Sequence, residues 1–587
     1  MDKTLYRGNA TNCLKNVILV HQQYLHNLAG HRKRRMSQKT SLFEELKQRN
    51  VFRIGAIYLV AGWILLQFGE VMIDIMALPL WMGRALVVLL ALGFPFVVLL
   101  AWVFDVSTRG LIRAESDDAS EIDRSKASRL IDMSIMVVLV IGIGVSFYFL
   151  QPKVAQTINR DEIVEYDSTH PKDSAGAARQ HGQYLLIGNL VDFTGTSAIS
   201  GQSYGQAIID AANWINENGG INGQLIDLDT VETSYLARRA ITAYKKWQTQ
   251  DVLAIQGWGT QIGLALKDEI SKDQTPYFSA SYAAEFTDPT GKAGREVAPF
   301  NFFYGPSYSD ACRGLVQWAD TDWEKRNSVD NPPTRAPRYV HMGDNHPYAD
   351  APKDACAEYA RELGFEVLKP IVFSLIPGDF SAQCALLKGS SADYAFLANL
   401  DRSVAALLEQ CHAMDIEVQY MANIWGFDES VMQSAGEAAN GVVWVMGAAA
   451  WHDSPKGMYT IREISKMSDP VGKKYRSVHY MRGVCSMFYL KEAMELAGQT
   501  GPINGETIKA AMYAIENWVP EGLNGVCLPA TWKADDHRGV TKVLVYQASV
   551  NGDTGSASIS ELMKAGRLSM DRVFEAEIQR RPEWLGY

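Results

Sequence analysis

The sequence has no surplus of positive charge: 56 Lys and Arg face 66 Asp and Glu, for a formal net charge of −10 across 587 residues. A nucleic-acid binder needs a concentrated cationic face to neutralise phosphates, so that class is excluded. The one dense basic run, His31-Arg32-Lys33-Arg34-Arg35, directly precedes the first apolar segment. The chain also lacks CxxC, HExxH and other close His/Cys spacings, so no metal or cofactor is expected. Cysteine is sparse, with seven in all, and six of them (Cys312, Cys356, Cys384, Cys411, Cys485, Cys527) follow the last apolar segment. An oxidising compartment would permit disulfides there. Sequential pairing and free buried thiols both remain open.

Charge is missing altogether from two stretches. Ala85–Phe104 is an uncharged run of 20 residues and Met133–Leu150 another of 18, each near the roughly 20 residues that span a bilayer. A shorter stretch, Ile54–Gly69, precedes Glu70 and Asp74. A mid-bilayer carboxylate costs a few kcal/mol, which places Glu70 at the interface. Eight Lys and Arg between Arg32 and Arg53 precede this first span, and none lies in the turn 74–83. The turn is therefore expected outside, the connection 105–129 in the cytoplasm, and everything after Leu150 outside. A cleaved signal peptide would show one short apolar core, not three.

The segments FEELKQRNVFRIGAIYLVAGWILLQFGE and LGFPFVVLLAWVFDVSTRGL, within 43–113, resemble an anchor found at the N-terminus of assorted proteobacterial membrane proteins. That resemblance implies a bacterial inner membrane. The expected organisation is a basic cytoplasmic segment (1–53), an anchor of three transmembrane helices (54–150), a polar linker (151–182), an outer periplasmic domain (183–552) and a helical C-terminal tail (553–587). Translation from Met36 and a disordered cytoplasmic arm before it are both open. A flexible linker of this length would reach about 30 Å root-mean-square.

From Gln183 the pattern becomes short apolar strands alternating with amphipathic helices. YLLIGNLV ends at a turn, helical spacing follows over 207–215, and NENGGINGQ breaks it. DVLAIQGWG, YFSAS, PRYVHMGD, EVLKPIVFS, DYAFLANL, VQYMANIWG and GVVWVMG read as further strands. Such a βαβ series implies an α/β fold of parallel sheets with covered faces. Ligands in such folds bind beyond the carboxyl ends of strands. The residues found there are Thr194-Gly195, Trp258-Gly259-Thr260, Ser279-Ala280-Ser281-Tyr282, Asn345 to Tyr348, Asn399-Leu400 and Asn423-Ile424-Trp425.

Six motifs in order, FTG…SGQSYGQAIIDAANWINENGGINGQ, AIQGWGTQIGLALKDEI, PYFSASYAAEFTDP, GDFSAQCALLKGSSADYAFL, GEAANGVVWV and LNGVCLPATWKADDHRG, resemble the branched-chain amino-acid-binding family of periplasmic solute receptors. The resemblance implies a two-lobed, doubly wound type I fold with a three-crossing hinge, closing on a small solute. It assigns 183–303 and 453–520 to lobe 1, and 304–452 and 521–551 to lobe 2. It places Ser200, Trp258, Gly259, Thr260, Ser281 and Tyr282 on the first wall, where the helix start at Thr260 favours a ligand carboxylate. Tyr348, Asn399, Asn423 and Trp425 would face them from lobe 2. The family's acid for a ligand ammonium has no counterpart in ANIWGFDES before Asp428. An aromatic solute, or a cation held on ring faces, is then the alternative to an amino acid.

Gly201-Gln202-Ser203-Tyr204-Gly205 fits G-x-S-x-G, but its strand ends near Val191 and the five residues lead into a helix, unlike a nucleophile elbow. Asp535-Asp536-His537-Arg538 reads as a solvated turn. Trp451-His452-Asp453 and His346 read as hinge or wall residues. Three classes follow: a binding component delivering solute to an ABC permease, a receptor signalling to a cytoplasmic partner, and an outer-domain hydrolase. The first leads, because no cytoplasmic output domain is present and a flexible linker transmits motion poorly.

Overall fold

The computed structural model describes residues 184–327 and 333–587, a pair of short strands near residue 110, and scattered helical residues between 58 and 95. The chain forms two compact units that divide after Arg160. In the first, β1 (Phe104–Ser107) and β2 (Gly110–Arg113) pair antiparallel. The expected spans, the segment 1–53 and the linker 151–182 lie wholly or largely outside the described residues. Among the described residues, no helix is long and apolar enough to cross a membrane.

The second unit is built on two sheets. In the first lobe, β3 (Tyr184–Val191), β4 (Leu225–Glu232), β5 (Ala254–Gly257), β6 (Tyr277–Ser279) and β7 (Asn301–Phe303) form a five-stranded parallel sheet in the order β4-β3-β5-β6-β7. The strands β5, β6 and β7 are buried at every residue, because helices cover both faces of a parallel sheet. Those helices include α1 (Ala198–Glu217), α2 (Ala237–Gln248) and α3 (Thr260–Asp273).

The second lobe starts at α4 (Tyr308–Arg326) and carries eight strands. β8 (Arg338–Gly343) pairs with two short strands, β9 (Glu366–Val367) and β10 (Ile371–Val372), which together form the EVLKPIVFS segment. β11 (Tyr394–Ala398), β12 (Gln419–Ala422) and β13 (Val443–Met446) continue the parallel ladder. The chain then returns to lobe 1, where α11 (Val478–Thr500) packs on α1. The intervening helices are α5 (Pro347–Asp350), α6 (Lys353–Glu362), α7 (Ser381–Ser390), α8 (Asp401–His412), α9 (Glu429–Ala435) and α10 (Met458–Ser465). The last lobe 1 helix is α12 (Gly505–Met512).

Three expectations are corrected. The lobe 2 sheet is mixed: β14 (Lys542–Val550) runs antiparallel to β13. Residues 521–541 stay with lobe 1, where the His537 amide donates to the Thr287 carbonyl at 2.9 Å, so the return to lobe 2 is β14 alone. The tail is not helical throughout: after α13 (Ile559–Lys564) comes β15 (Leu568–Glu577), antiparallel to β14. A register shift at Val545/Tyr546 interrupts the side-chain alternation that would mark this pair as strands.

Tyr304, just past β7, knits the crossings together. Its hydroxyl donates to the Gly447 carbonyl at 2.6 Å and accepts from the Leu528 amide at 2.7 Å. Six cysteines pair sequentially, Cys312–Cys356, Cys384–Cys411 and Cys485–Cys527. The last bond joins α11 to the segment beside the second crossing, where Ala448 bridges Cys527.

Candidate ligand-binding cleft

The first wall is set at the carboxyl end of β3. Asp192 follows that strand and accepts from the Ser197 amide at 3.0 Å and the Ser197 hydroxyl at 2.6 Å. Ser197 in turn accepts from Trp258 Nε1 at 2.9 Å, which fixes the indole just beyond β5. Gly259 follows with φ +80, and a Cβ there would collide with the Tyr235 ring. Only glycine fits both the conformation and the approach.

The facing wall comes from lobe 2. His346 Nδ1 accepts from the Tyr348 amide at 3.2 Å, and the Tyr348 hydroxyl donates to the Asn399 carbonyl at 3.3 Å. Tyr308, at the start of α4, meets Tyr348 edge-on at 5.3 Å between centroids. Trp425 lies 5.1 Å from Trp258 and 5.6 Å from both Tyr204 and Tyr282.

Between the walls lies a small, tightly closed pocket lined by Ser197, Ser200, Tyr235, Trp258, Gly259, Ala280, Tyr308, Tyr348, Leu400 and Trp425. No charged side chain lines it. Its body is aromatic and its few polar groups are small, a lining suited to a compact organic solute.

The lobes touch around this pocket, a closed arrangement. The Ser200 amide donates to Asp401 Oδ2 at 3.2 Å, and His346 Nε2 meets Gln261 Oε1 at 3.2 Å. On the far side, the Tyr475 hydroxyl donates to Glu429 Oε1 at 2.9 Å and the Val478 amide to Glu429 Oε2 at 3.3 Å. Burial, then the Asp428 charge, pushes both Asp401 and Glu429 up to about 7. Asp428 itself is raised by burial.

Of the ten residues picked from the sequence, Ser200, Trp258, Gly259, Tyr348 and Trp425 meet on this pocket. Thr260 and Ser281 stand just behind it, their hydroxyls 2.7 Å apart and bonded to each other. Tyr282 is fully buried in the ring cluster. Asn399 and Asn423 do not reach the lining, because each turns back on the backbone. Asn399 Nδ2 donates to the Phe373 and Ser374 carbonyls at 3.1 Å, and Asn423 Oδ1 accepts from the Ile424 amide at 2.8 Å.

Ser197, Tyr235 and Tyr308 were missed, whereas Ala280 and Leu400 stand among the strand-end residues but not among the ten. Tyr235 sits beyond the end of β4, so the strand-end rule would have found it had that strand been recognised. Ser203 is in the second turn of α1, its hydroxyl 2.9 Å from that of Ser477, which is not an elbow geometry. The turn Asp536-His537-Arg538 is buried rather than solvated: His537 Nδ1 meets the Asn301 carbonyl at 2.8 Å.

A family model described as periplasmic binding protein matches residues 185–555. The fold is similar to the ABC transporter substrate-binding protein of Aeropyrum pernix, at 23% identity and TM-score 0.58, covering 68% of this chain and 98% of that one. A branched-chain amino acid ABC transporter structure from Thermus thermophilus with bound valine gives 18% identity and TM-score 0.57, over 68% and 97%. A fatty acid ABC transporter substrate-binding protein from Thermomonospora curvata gives 16% and 0.56, over 69% and 94%. No curated protein matches the chain by sequence. With well over half its length matched, the chain belongs to the periplasmic binding protein family.

Proposed function

We propose that this chain is a solute-binding component of a branched-chain-amino-acid-type ABC transporter, held at the bacterial inner membrane by its N-terminal anchor, and that its outer domain closes on a small organic solute. The observation that carries the binding reading is the pocket shared between lobes, with Trp258 and Tyr235 on one side and Tyr348 and Trp425 on the other. Family membership and the substrate-binding proteins of similar fold support the transport role. The three apolar segments at 54–69, 85–104 and 133–150 support the anchor, and they are what keeps a sensing role, with a cytoplasmic signalling partner, as the second reading. The Ser200, Trp258, Gly259, Tyr348 and Trp425 side of the cleft is the proposed contact surface, with Thr260 and Ser281 at the helix start behind it.

Melting of the full-length chain with and without candidate solutes tests this. A true ligand at 100 times its Kd stabilises by about 2.7 kcal/mol. Trp425→Ala should abolish the shift and Thr260→Ala should reduce it. An unchanged melting temperature across amino acids, amides and organic acids would refute the binding role. A permease and an ATPase co-purifying with the chain would favour transport, and a signalling protein alone would favour sensing.

A further inference from the structure

Arg482 lies behind the cleft wall, its guanidinium under the Trp425 ring. This side chain leaves α11 and is completely buried. Its Nη1 donates to the Ile424 carbonyl at 3.2 Å and lies 2.8 Å from His479 Nδ1. A guanidinium can only donate, so His479 Nδ1 is the acceptor and its proton sits on Nε2, facing Asp428 Oδ2 at 3.6 Å. Burial, then the Arg482 charge, holds that imidazole neutral. Asp428 therefore faces Arg482 only through a neutral ring.

The other nitrogens, Nε and Nη2, have no hydrogen-bond partner. The guanidinium carbon lies 3.7 Å over the Trp425 ring and 5.0 Å from that of Tyr282. Around it, the Tyr282 hydroxyl interacts with the guanidinium itself and the Tyr204 hydroxyl with Ser486, while Trp425 Nε1 is buried without a partner. Every one of these groups can donate, and none is an anion. Leaving a buried cation and several donors unanswered costs several kcal/mol, which a ligand with two acceptor oxygens would recover. The free Nε and Nη2 edge has the geometry for a carboxylate taken side-on.

We infer that the cleft selects an organic monocarboxylate without an ammonium group, its carboxylate paired with Arg482 Nε and Nη2 and its apolar body held between Trp258 and Tyr348. Trp425 is the wall shared by pocket and guanidinium, and a small shift of its ring on binding joins the two spaces while keeping the ring against the solute. An ammonium finds no acid in the pocket. Two acids stand behind the lining and both are committed: Asp401 to the Ser200 amide at 3.2 Å and the Arg402 amide at 2.7 Å, and Asp192 to the Ser197 amide at 3.0 Å and its hydroxyl at 2.6 Å. A cation on the ring faces would meet Arg482 behind them.

This inference rests on the cleft being a solute site, and the test separates the two. Titrations of the full-length chain would compare phenylacetate with phenylacetamide, hexanoate with hexanamide, and both acids with phenylalanine. The acids should bind at least about tenfold more tightly than their amides and than phenylalanine, as expected when a buried charge loses its partner. R482Q should erase that preference, and R482K should retain part of it. Amides binding as well as acids, or acid binding unchanged in R482Q, would overturn the inference while leaving a binding protein. No binding of any probe would overturn both. Should R482Q fail to fold, the wild-type comparison of acid with amide decides alone.

Discussion

Trp425 joins the cleft lining to the ring cluster behind it. Its ring packs on Trp258, Tyr204 and Tyr282, stacks on His479 at 4.9 Å and covers Arg482. Trp425→Ala removes the lobe 2 half of the aromatic clamp, so solute affinity should fall by a factor of about 100 or more, since truncating a buried aromatic anchor costs at least about 2–3 kcal/mol; titration of variant against wild type checks it. Two buried acids add a pH dependence. Asp401 and Glu429 both lie in lobe 2, bind across to lobe 1, and are raised to about 7 by burial and the Asp428 charge. Each holds its proton more tightly when buried than in solvent. Their contribution to the closed, folded form is therefore complete below about pH 4 and is lost as pH rises towards about 7. Melting curves should show the chain more stable at pH 5 than at pH 7.5, and Glu429→Gln should flatten the difference. A steeper dependence in that variant would contradict this assignment. Half of the candidate contacts were legible from strand-end position alone. Asn399 and Asn423 misled because position does not say whether an amide faces the ligand or its own backbone. Arg482 lay in a helix interior far along the chain, where no local pattern marks a cleft.

The helices around the cleft depend on close approach. Gly483, beside Arg482, allows α11 to rest on α1: a Cβ there would lie 2.7 Å from both the Ala207 Cβ and the Tyr204 carbonyl oxygen. Gly483→Ala should destabilise the two-lobed domain by about 1–3 kcal/mol, since a packed core resists an added methyl, and denaturant midpoints would measure it. The Cys485–Cys527 bond holds the same helix to the segment at the second crossing. Replacing both cysteines with alanine should cost about 2–4 kcal/mol, while a change under about 0.5 kcal/mol would show that the bond is dispensable. Element recognition followed periodicity closely where strands are buried on both faces. YLLIGNLV became β3 residue for residue. It failed for β4, whose outer half is only partly buried, and for β14 and β15, whose register shift blurs the alternation. The sequential cysteine pairing was among the readings left open, because pairing depends on which helices meet, and sequence spacing does not carry that.

At the scale of the molecule, the order of six weak motifs carried more than any one of them, because it follows the route of the chain between lobes. The boundary of the return segment escaped it. Residues 521–541 read as lobe 2, yet the buried His537 and its contact with Asn301 hold them on lobe 1. The proposed action of the whole domain is closure of its two lobes on a solute. Gln261 on α3 and His346 before α5 meet at 3.2 Å across the cleft mouth, so spin labels at these two positions would report closure in the full-length chain. Adding a bound solute should shift the inter-label distances from a broad or long distribution to a single short one, with half-saturation at the solute's Kd. A distribution unchanged by saturating solute would contradict the account.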